Sequence, residues 1–225
     1  MDYNYRGFVG REEQYDLIGA MQFNLLTALG LRDYHKFLDI GCGSLRGGRL
    51  FIPYLNQGCY HGIEPETWLI EEGINNEIGQ SMIDIKKPKF VHSFDFPVDA
   101  FGVKFDFIMA QSILTHTPQD QILKCMKHVK QNLDLPKSET SPHGGLFAAT
   151  FLLADYDYEG TEWVYQGKDD IVFARYTEEC IYRLATQSGL VYKKIDWVHP
   201  NGQTWFIFGS ANDIEQLNDP TYFVK

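Results

Sequence analysis

The sequence predicts an open α/β domain, a mostly parallel sheet with one antiparallel strand and helices on both faces. Three observations carry this. Short apolar strands alternate with helical stretches along the chain, the pattern of parallel strands joined by crossover helices. One strand, Phe37–Ile40, runs straight into the turn Gly41-Cys42-Gly43-Ser44-Leu45-Arg46-Gly47-Gly48. A glycine-rich turn between strand and helix is how a nucleotide-type ligand is held in such a sheet. Near the C-terminus two strands flank Pro200-Asn201-Gly202, a turn signal that makes them an antiparallel hairpin.

The elements follow in order. Residues 1–14 are an arm rich in tyrosine and charge, without a clear period. From Tyr15, the spacing of Leu17, Ile18, Met21, Leu25, Leu26 and Leu29 predicts an amphipathic helix that Gly30 stops. After the first strand a helix is expected over 46–55, then a strand at 59–63 and a helix over 66–79. Residues 89–92 form a short third strand. Residues 105–110 form a largely apolar fourth strand, buried on both faces. Thr117-Pro118 starts a helix with a capping hydroxyl and a proline at the first helical position, and it runs to about 132. Residues 134–143 hold two prolines and read as an exposed loop. A strand at 145–153 precedes an irregular aromatic insertion at 155–175. A helix over 177–188 ends at Gly189, and the hairpin strands are 191–198 and 204–208.

Composition bounds the function. The 225 residues fit a single domain with one substantial core: arm 1–14, core 15–209, tail 210–225. The formal net charge of −10 disfavours a nucleic-acid partner. Cysteines 42, 59, 125 and 180 form no CxxC pair and no metal spacing, so no metal site is expected and a reducing compartment is. No targeting segment and no membrane-spanning run is visible, and a soluble cytoplasmic protein is expected.

The glycine turn selects among cofactors. A dinucleotide loop, G-x-G-x-x-G, needs a third glycine at position 46, where this chain has Arg46. Asp39 precedes the first glycine, giving the order D-x-G-x-G. This resembles motif I of the class I S-adenosylmethionine-dependent methyltransferases. Glu64, at the end of the second strand, is placed to accept both hydroxyls of a ribose. The element order over residues 15–209 is also similar to that family's Rossmann-like seven-stranded sheet with its last strand inserted antiparallel. The resemblance implies S-adenosylmethionine as cofactor, with Asp39 facing its ammonium or ordering the loop. It also implies that Phe94 and Asp95, after the third strand, meet the adenine. The expected cofactor set is therefore Asp39, Gly41, Cys42, Gly43, Arg46, Glu64, Phe94, Asp95, Gln111 and Ser112.

The segment from Gln111 to Thr117 follows the fourth strand, where family members carry transfer or substrate-contact residues. It lacks the Asn-Pro-Pro-Tyr type motif of many enzymes that methylate amide or ring nitrogens. His116 there, and His199 in the hairpin turn beside Gln203, are the two candidate bases toward an acceptor hydroxyl. A His-Pro-x-Gly-Gln turn is also similar to that of a subgroup of small bacterial methyltransferases. Tyr3, Tyr5, Phe8 and Tyr15 form either a lid or an arm packed on the domain's edge. The expected reaction is in-line methyl transfer to a small or sugar-like acceptor. The competing readings are a non-catalytic cofactor-binding module and an NAD-type oxidoreductase, which the Arg46 mismatch disfavours. The sequence does not indicate an oligomeric state.

Overall fold

The computed structural model describes residues 4–133, 144–164 and 173–217. The chain begins with a four-residue helix α1 (Tyr5–Phe8) and a 3-10 turn (Glu12–Gln14), then helix α2 (Tyr15–Ala28). Strand β1 (Phe37–Ile40) is followed by helix α3 (Gly48–Tyr54), and β2 (Tyr60–Ile63) by α4 (Thr67–Gly73) and α5 (Gln80–Lys86). Then come β3 (Lys89–Val91), β4 (Phe107–Ala110), α6 (Gln119–Asn132), β5 (Leu146–Phe151) and α7 (Glu178–Ser188). The hairpin strands β6 (Val191–Ile195) and β7 (Thr204–Gly209) and the short helix α8 (Ala211–Glu215) close the fold.

The seven strands lie in the order β3-β2-β1-β4-β5-β7-β6. Strand β7 runs opposite to the other six strands, pairing antiparallel with β5 on one side and β6 on the other. Its first residue, Thr204, stands opposite Phe151, the last residue of β5. Side-chain alternation divides each central strand between two cores. Leu38, Ile40, Ile108, Phe147 and Phe151 point to the face covered by Ile122, Met126 and Val129 of α6 and Ile181 and Leu184 of α7. Phe37, Met109, Leu146 and Ala148 point to the face covered by Leu25 and Leu26 of α2 and Phe51 and Ile52 of α3. Helices on both faces are what a largely parallel sheet requires.

Several boundaries differ from expectation. Helix α3 starts at Gly48, two residues later than expected, because Leu45 takes a left-handed φ of 61° with its side chain fully buried. Pro118, not Thr117, is the N-cap of α6, and the Thr117 hydroxyl donates back to Ile113 O at 2.8 Å. Helix α5 buries no residue fully, so it carries no clear apolar stripe to read. The arm holds the helix α1, capped by the Asn4 side chain accepting from Gly7 N. The expected loop at 134–143 lies outside the described residues, as do parts of the insertion (165–172) and of the tail (218–225).

Helix α7 matches its sequence signals. Thr177 Oγ1 accepts from Cys180 N at 3.0 Å, and Gly189 at φ 74° ends the helix. Thr177→Ala removes the cap and is expected to cost about 1 kcal/mol, a fall of about 2–4 °C in melting temperature for a domain of this size. Thermal denaturation followed by circular dichroism checks this; an unchanged midpoint would mean that solvent replaces the hydroxyl at no cost.

Candidate functional site

The glycine turn sits at the C-terminal end of β1, between β2 and β4. Its backbone is tied to β2, with Gly41 N and Cys42 N both donating to Ile63 O. Gly41 and Gly43 have φ of 70° and 54°, a region that costs a residue with a Cβ. Neither has room for one. A Cβ on Gly41 would lie 2.0 Å from Ile113 Cδ1, and one on Gly43 would lie 2.6 Å from Val9 Cγ1. The turn, with Val9, Gln22, Asp39, Arg46 and Gly47, lines a small cleft. The Cys42 thiol lies against Gly62 of β2, where a Cβ would meet Sγ at 2.8 Å.

Two carboxylates flank the turn. Asp39 is 4 % exposed, and its Oδ2 accepts from the Tyr60 hydroxyl at 3.0 Å. Burial pushes its carboxyl up to about 7, against the pull of the Tyr60 O–H and of Arg46. Glu64 is 6 % exposed and accepts from Gly43 N at 2.8 Å and Glu66 N at 3.0 Å, one bond to each oxygen. Burial raises its carboxyl too, opposed by those two N–H groups. Each oxygen keeps a lone pair for a further donor.

Arg46 is the buried cation of the site, at 8 % exposure. Its Nη1 donates to Val9 O at 2.7 Å, and its Nη2 donates to Gln111 Oε1. No ion pair reaches it among the described residues. Burial lowers its pKa to about 10. Arg46 Nε and the nearby Gln22 Oε1 are buried without a hydrogen-bond partner. Orphaned buried polar atoms around a cleft are the mark of a site shaped for a ligand. This donor and acceptor set fits an amino acid with both its charges: carboxylates suit an ammonium, and a guanidinium suits a carboxylate.

The network continues to the hairpin. Gln111 Oε1 also accepts from Gln22 Nε2 at 2.8 Å, which turns the Gln111 amide nitrogen toward His199 Nε2 at 2.9 Å, while Asn201 N donates to His199 Nδ1 at 3.2 Å. Both ring nitrogens are thereby engaged. Burial, with Arg46 nearby, lowers His199 to about 4. Gln203 Nε2 donates to Ser112 Oγ at 2.7 Å, and Ser112 N donates to Thr150 Oγ1 at 2.7 Å.

His116 stands apart from this chain. Its Nδ1 is 2.9 Å from Val164 O, and a carbonyl only accepts, so Nδ1 carries the proton. The ring is held by the insertion, with Val164 N donating to His116 O and Phe173 5.1 Å away. Nε2 keeps its lone pair, and burial lowers the pKa.

The remaining expected residues lie further out. Asp95 is exposed and paired with Lys124 at 2.7 Å, which lowers its pKa. Phe94 is half-exposed, edge-on to Trp163 at 6.2 Å. Tyr15 is fully buried and donates to Ser44 O at 2.9 Å, so it is a packing residue beneath the turn. Tyr3 lies outside the described residues. Sequence reasoning missed Val9, Gln22 and Tyr60. Gln22 had a signal: it interrupts the apolar stripe of α2, four residues after Ile18. Among the described residues no group of three or more His, Cys, Asp or Glu is placed to hold a metal ion, and no helix is long and apolar enough to cross a membrane.

No protein-family model and no curated protein matches this sequence. Solved structures do match its fold. The magnesium protoporphyrin IX methyltransferase of Synechocystis PCC 6803, with S-adenosylmethionine bound, is 13% identical, with a TM-score of 0.58 over 92% of this chain and 89% of that one. A SAM-dependent methyltransferase of Leishmania major is 15% identical, with a TM-score of 0.61 over 91% of this chain and 76% of that one. The CcbJ methyltransferase of Streptomyces caelestis is 13% identical, with a TM-score of 0.60 over 94% of this chain and 100% of that one. The strand order, the antiparallel β7 and these similarities together show that the chain has the class I S-adenosylmethionine-dependent methyltransferase fold.

Proposed function

We propose that the protein is an S-adenosylmethionine-dependent methyltransferase of the cytoplasm that methylates an oxygen of a small-molecule or sugar-like acceptor, with a histidine as base. One observation carries the cofactor assignment. A glycine cradle, left-handed at Gly41 and Gly43, lies between two buried carboxylates and a buried guanidinium with no carboxylate partner among the described residues. The Synechocystis enzyme, crystallised with this cofactor, supports the same choice. Glu64 is assigned to the ribose hydroxyls, Asp39 to the ammonium and Arg46 to the carboxylate of the amino acid. Gly41, Cys42 and Gly43 allow close backbone approach. Gln111 orients Arg46, Ser112 borders the acceptor side, and Phe94 and Asp95 are assigned to the adenine.

When bound, this cofactor supplies a methyl group already activated on a sulfonium, so the protein mainly supplies alignment, desolvation and proton removal. Between the two histidines the geometry favours His116. Its tautomer leaves Nε2 ready to take a proton, whereas both ring nitrogens of His199 are engaged, by Gln111 and by Asn201 N. His199 then positions Gln111, and through it Arg46. The net charge of −10 and the four free, buried cysteines support a small acceptor and a reducing compartment.

Three outcomes are expected. S-adenosylhomocysteine binds with micromolar affinity in calorimetry while NAD does not, and Glu64→Ala weakens it by about 1.5–3 kcal/mol, tenfold to a hundredfold. Tighter NAD binding, or an indifferent Glu64→Ala, would overturn the assignment.

Asp39 makes stability depend on pH. Its carboxyl is raised from 3.8 to about 7 in the fold, so between those values the unfolded chain has lost a proton that the folded chain keeps. Stability therefore falls as pH rises through this window. Asp39→Asn removes the term. Its gain in stability over wild type should grow from about pH 4 to about pH 7 and then level off. Urea titrations across pH measure this; a gap that stays flat shows Asp39 to be ionised throughout.

If His116 is the base, His116→Ala lowers turnover by roughly 10²–10⁴-fold with cofactor affinity unchanged. Because burial lowers its pKa, the wild-type rate should rise through an apparent pKa below the ordinary histidine value of 6.5 and be flat above neutrality. Near-normal turnover of His116→Ala on the true acceptor would transfer the role elsewhere.

A further inference from the structure

We infer that the N-terminal arm, residues 5–9, is a wall of the cofactor cleft, latched outside it, and that arm closure and cofactor binding are thermodynamically linked. This rests on the reading of the cleft as the cofactor site.

The arm meets the cleft at one residue. Val9 lines it, placing its side chain against Gly43 and its carbonyl oxygen 2.7 Å from Arg46 Nη1. Every other lining residue belongs to α2, to β1 or to the turn, all anchored in the core. Val9 is thus the one lining group on a segment that can lift without unfolding the sheet. It also supplies an oxygen that Arg46 holds.

The latch lies on the far side of the arm. Arg6 Nη2 and Nε reach Glu77 Oε1 at 2.6 and 2.7 Å, and the Tyr5 hydroxyl donates to the same oxygen at 3.0 Å. The Arg6 guanidinium lies 4.7 Å over the Tyr15 ring. Phe8 meets Trp68 of α4 edge-on at 5.3 Å. Arg49 shares the cluster, bonding Asp16 at 2.7 Å and Glu77 at 3.5 Å.

This latch is built to be reversible. None of residues 5–8 is buried, and when Arg6 leaves, the Glu77 carboxylate, its side chain 5 % exposed, keeps Arg49 at 3.5 Å. Gly10, at φ 131°, joins the arm to the turn before α2, a conformation from which the backbone can swing. The other lining residues belong to core elements, so the arm is the part of the wall that can move aside for a ligand. A ligand that then contacts Val9 stabilises the closed arm. By reciprocity, the factor by which the ligand favours the closed arm is the factor by which closing the arm tightens the ligand, so loosening the latch weakens binding.

The test uses the full chain and S-adenosylhomocysteine. Amide hydrogen exchange at residues 6–9 should slow on binding, more than at the exposed helix α5. The double variant Arg6→Ala/Phe8→Ala changes no residue that lines the cleft. It should bind about tenfold more weakly, with faster dissociation in stopped flow and a melting temperature within about 2 °C of wild type. Unchanged exchange, or affinity within twofold of wild type, would overturn the linkage. Tighter binding would overturn it as well, showing that the arm competes with the ligand. If the wild-type chain fails to bind at all, the cofactor assignment falls first and the linkage falls with it.

Discussion

A guanidinium sealed inside a protein must be given oxygen atoms, and Arg46 takes them from separate parts of the chain. Val9 O comes from the arm and Gln111 Oε1 from the end of β4, while Arg46 itself belongs to the turn after β1. Stranding such a charge costs several kcal/mol. The turn, the arm and the end of β4 are therefore held in register by one side chain's need for partners. Gln111 extends the constraint to Gln22 of α2 and to His199 of the hairpin. With Nε still unpartnered, the demand is only partly met, and what meets the rest has to carry electron density.

The two carboxylates show the opposite solution to the same burial. Glu64 is compensated by backbone N–H groups, which makes it part of the turn's architecture as well as an acceptor. Asp39 has one hydroxyl and a distant cation, and its carboxyl rises to about 7. A group so poised is costly to ionise alone and inexpensive to ionise beside an ammonium. That difference gives a zwitterionic ligand an advantage over a neutral or purely anionic one, and it arises from desolvation rather than from any single contact.

The parts of this arrangement that follow chain-local rules were legible in the sequence. The run Phe37 to Gly43, the cap at Thr177 and the turn at Gly202 each depend on residues a few positions apart, and each took the expected form. The parts that depend on distant partners were not legible. Whether Asp39 ends in a salt bridge or against Tyr60 is decided by which strand lies beside β1. The proton on His116 is fixed by Val164, 48 residues away. Leu45, just before the helix expected from position 46, is left-handed and fully buried, and the helix begins at Gly48. Polar residues inside apolar stripes, such as Gln22, are the local trace that a non-local network leaves.

The antiparallel strand explains how both halves of the site come to one edge. Among parallel strands, the loops after β1, β2 and β4 all leave from the C-terminal edge, with the chain's switch of direction between β1 and β4. There the two loops diverge and a crevice opens. A parallel β7 would deliver its preceding loop to the opposite edge. Because β7 runs the other way, Thr204 sits beside the end of β5, and the hairpin brings His199 and Gln203 back to Gln111 and Ser112. Reversing one strand thus lets residues some ninety positions apart share a hydrogen-bond chain. That chain joins the residues at the end of β4 to the hairpin turn along the rim of the cleft.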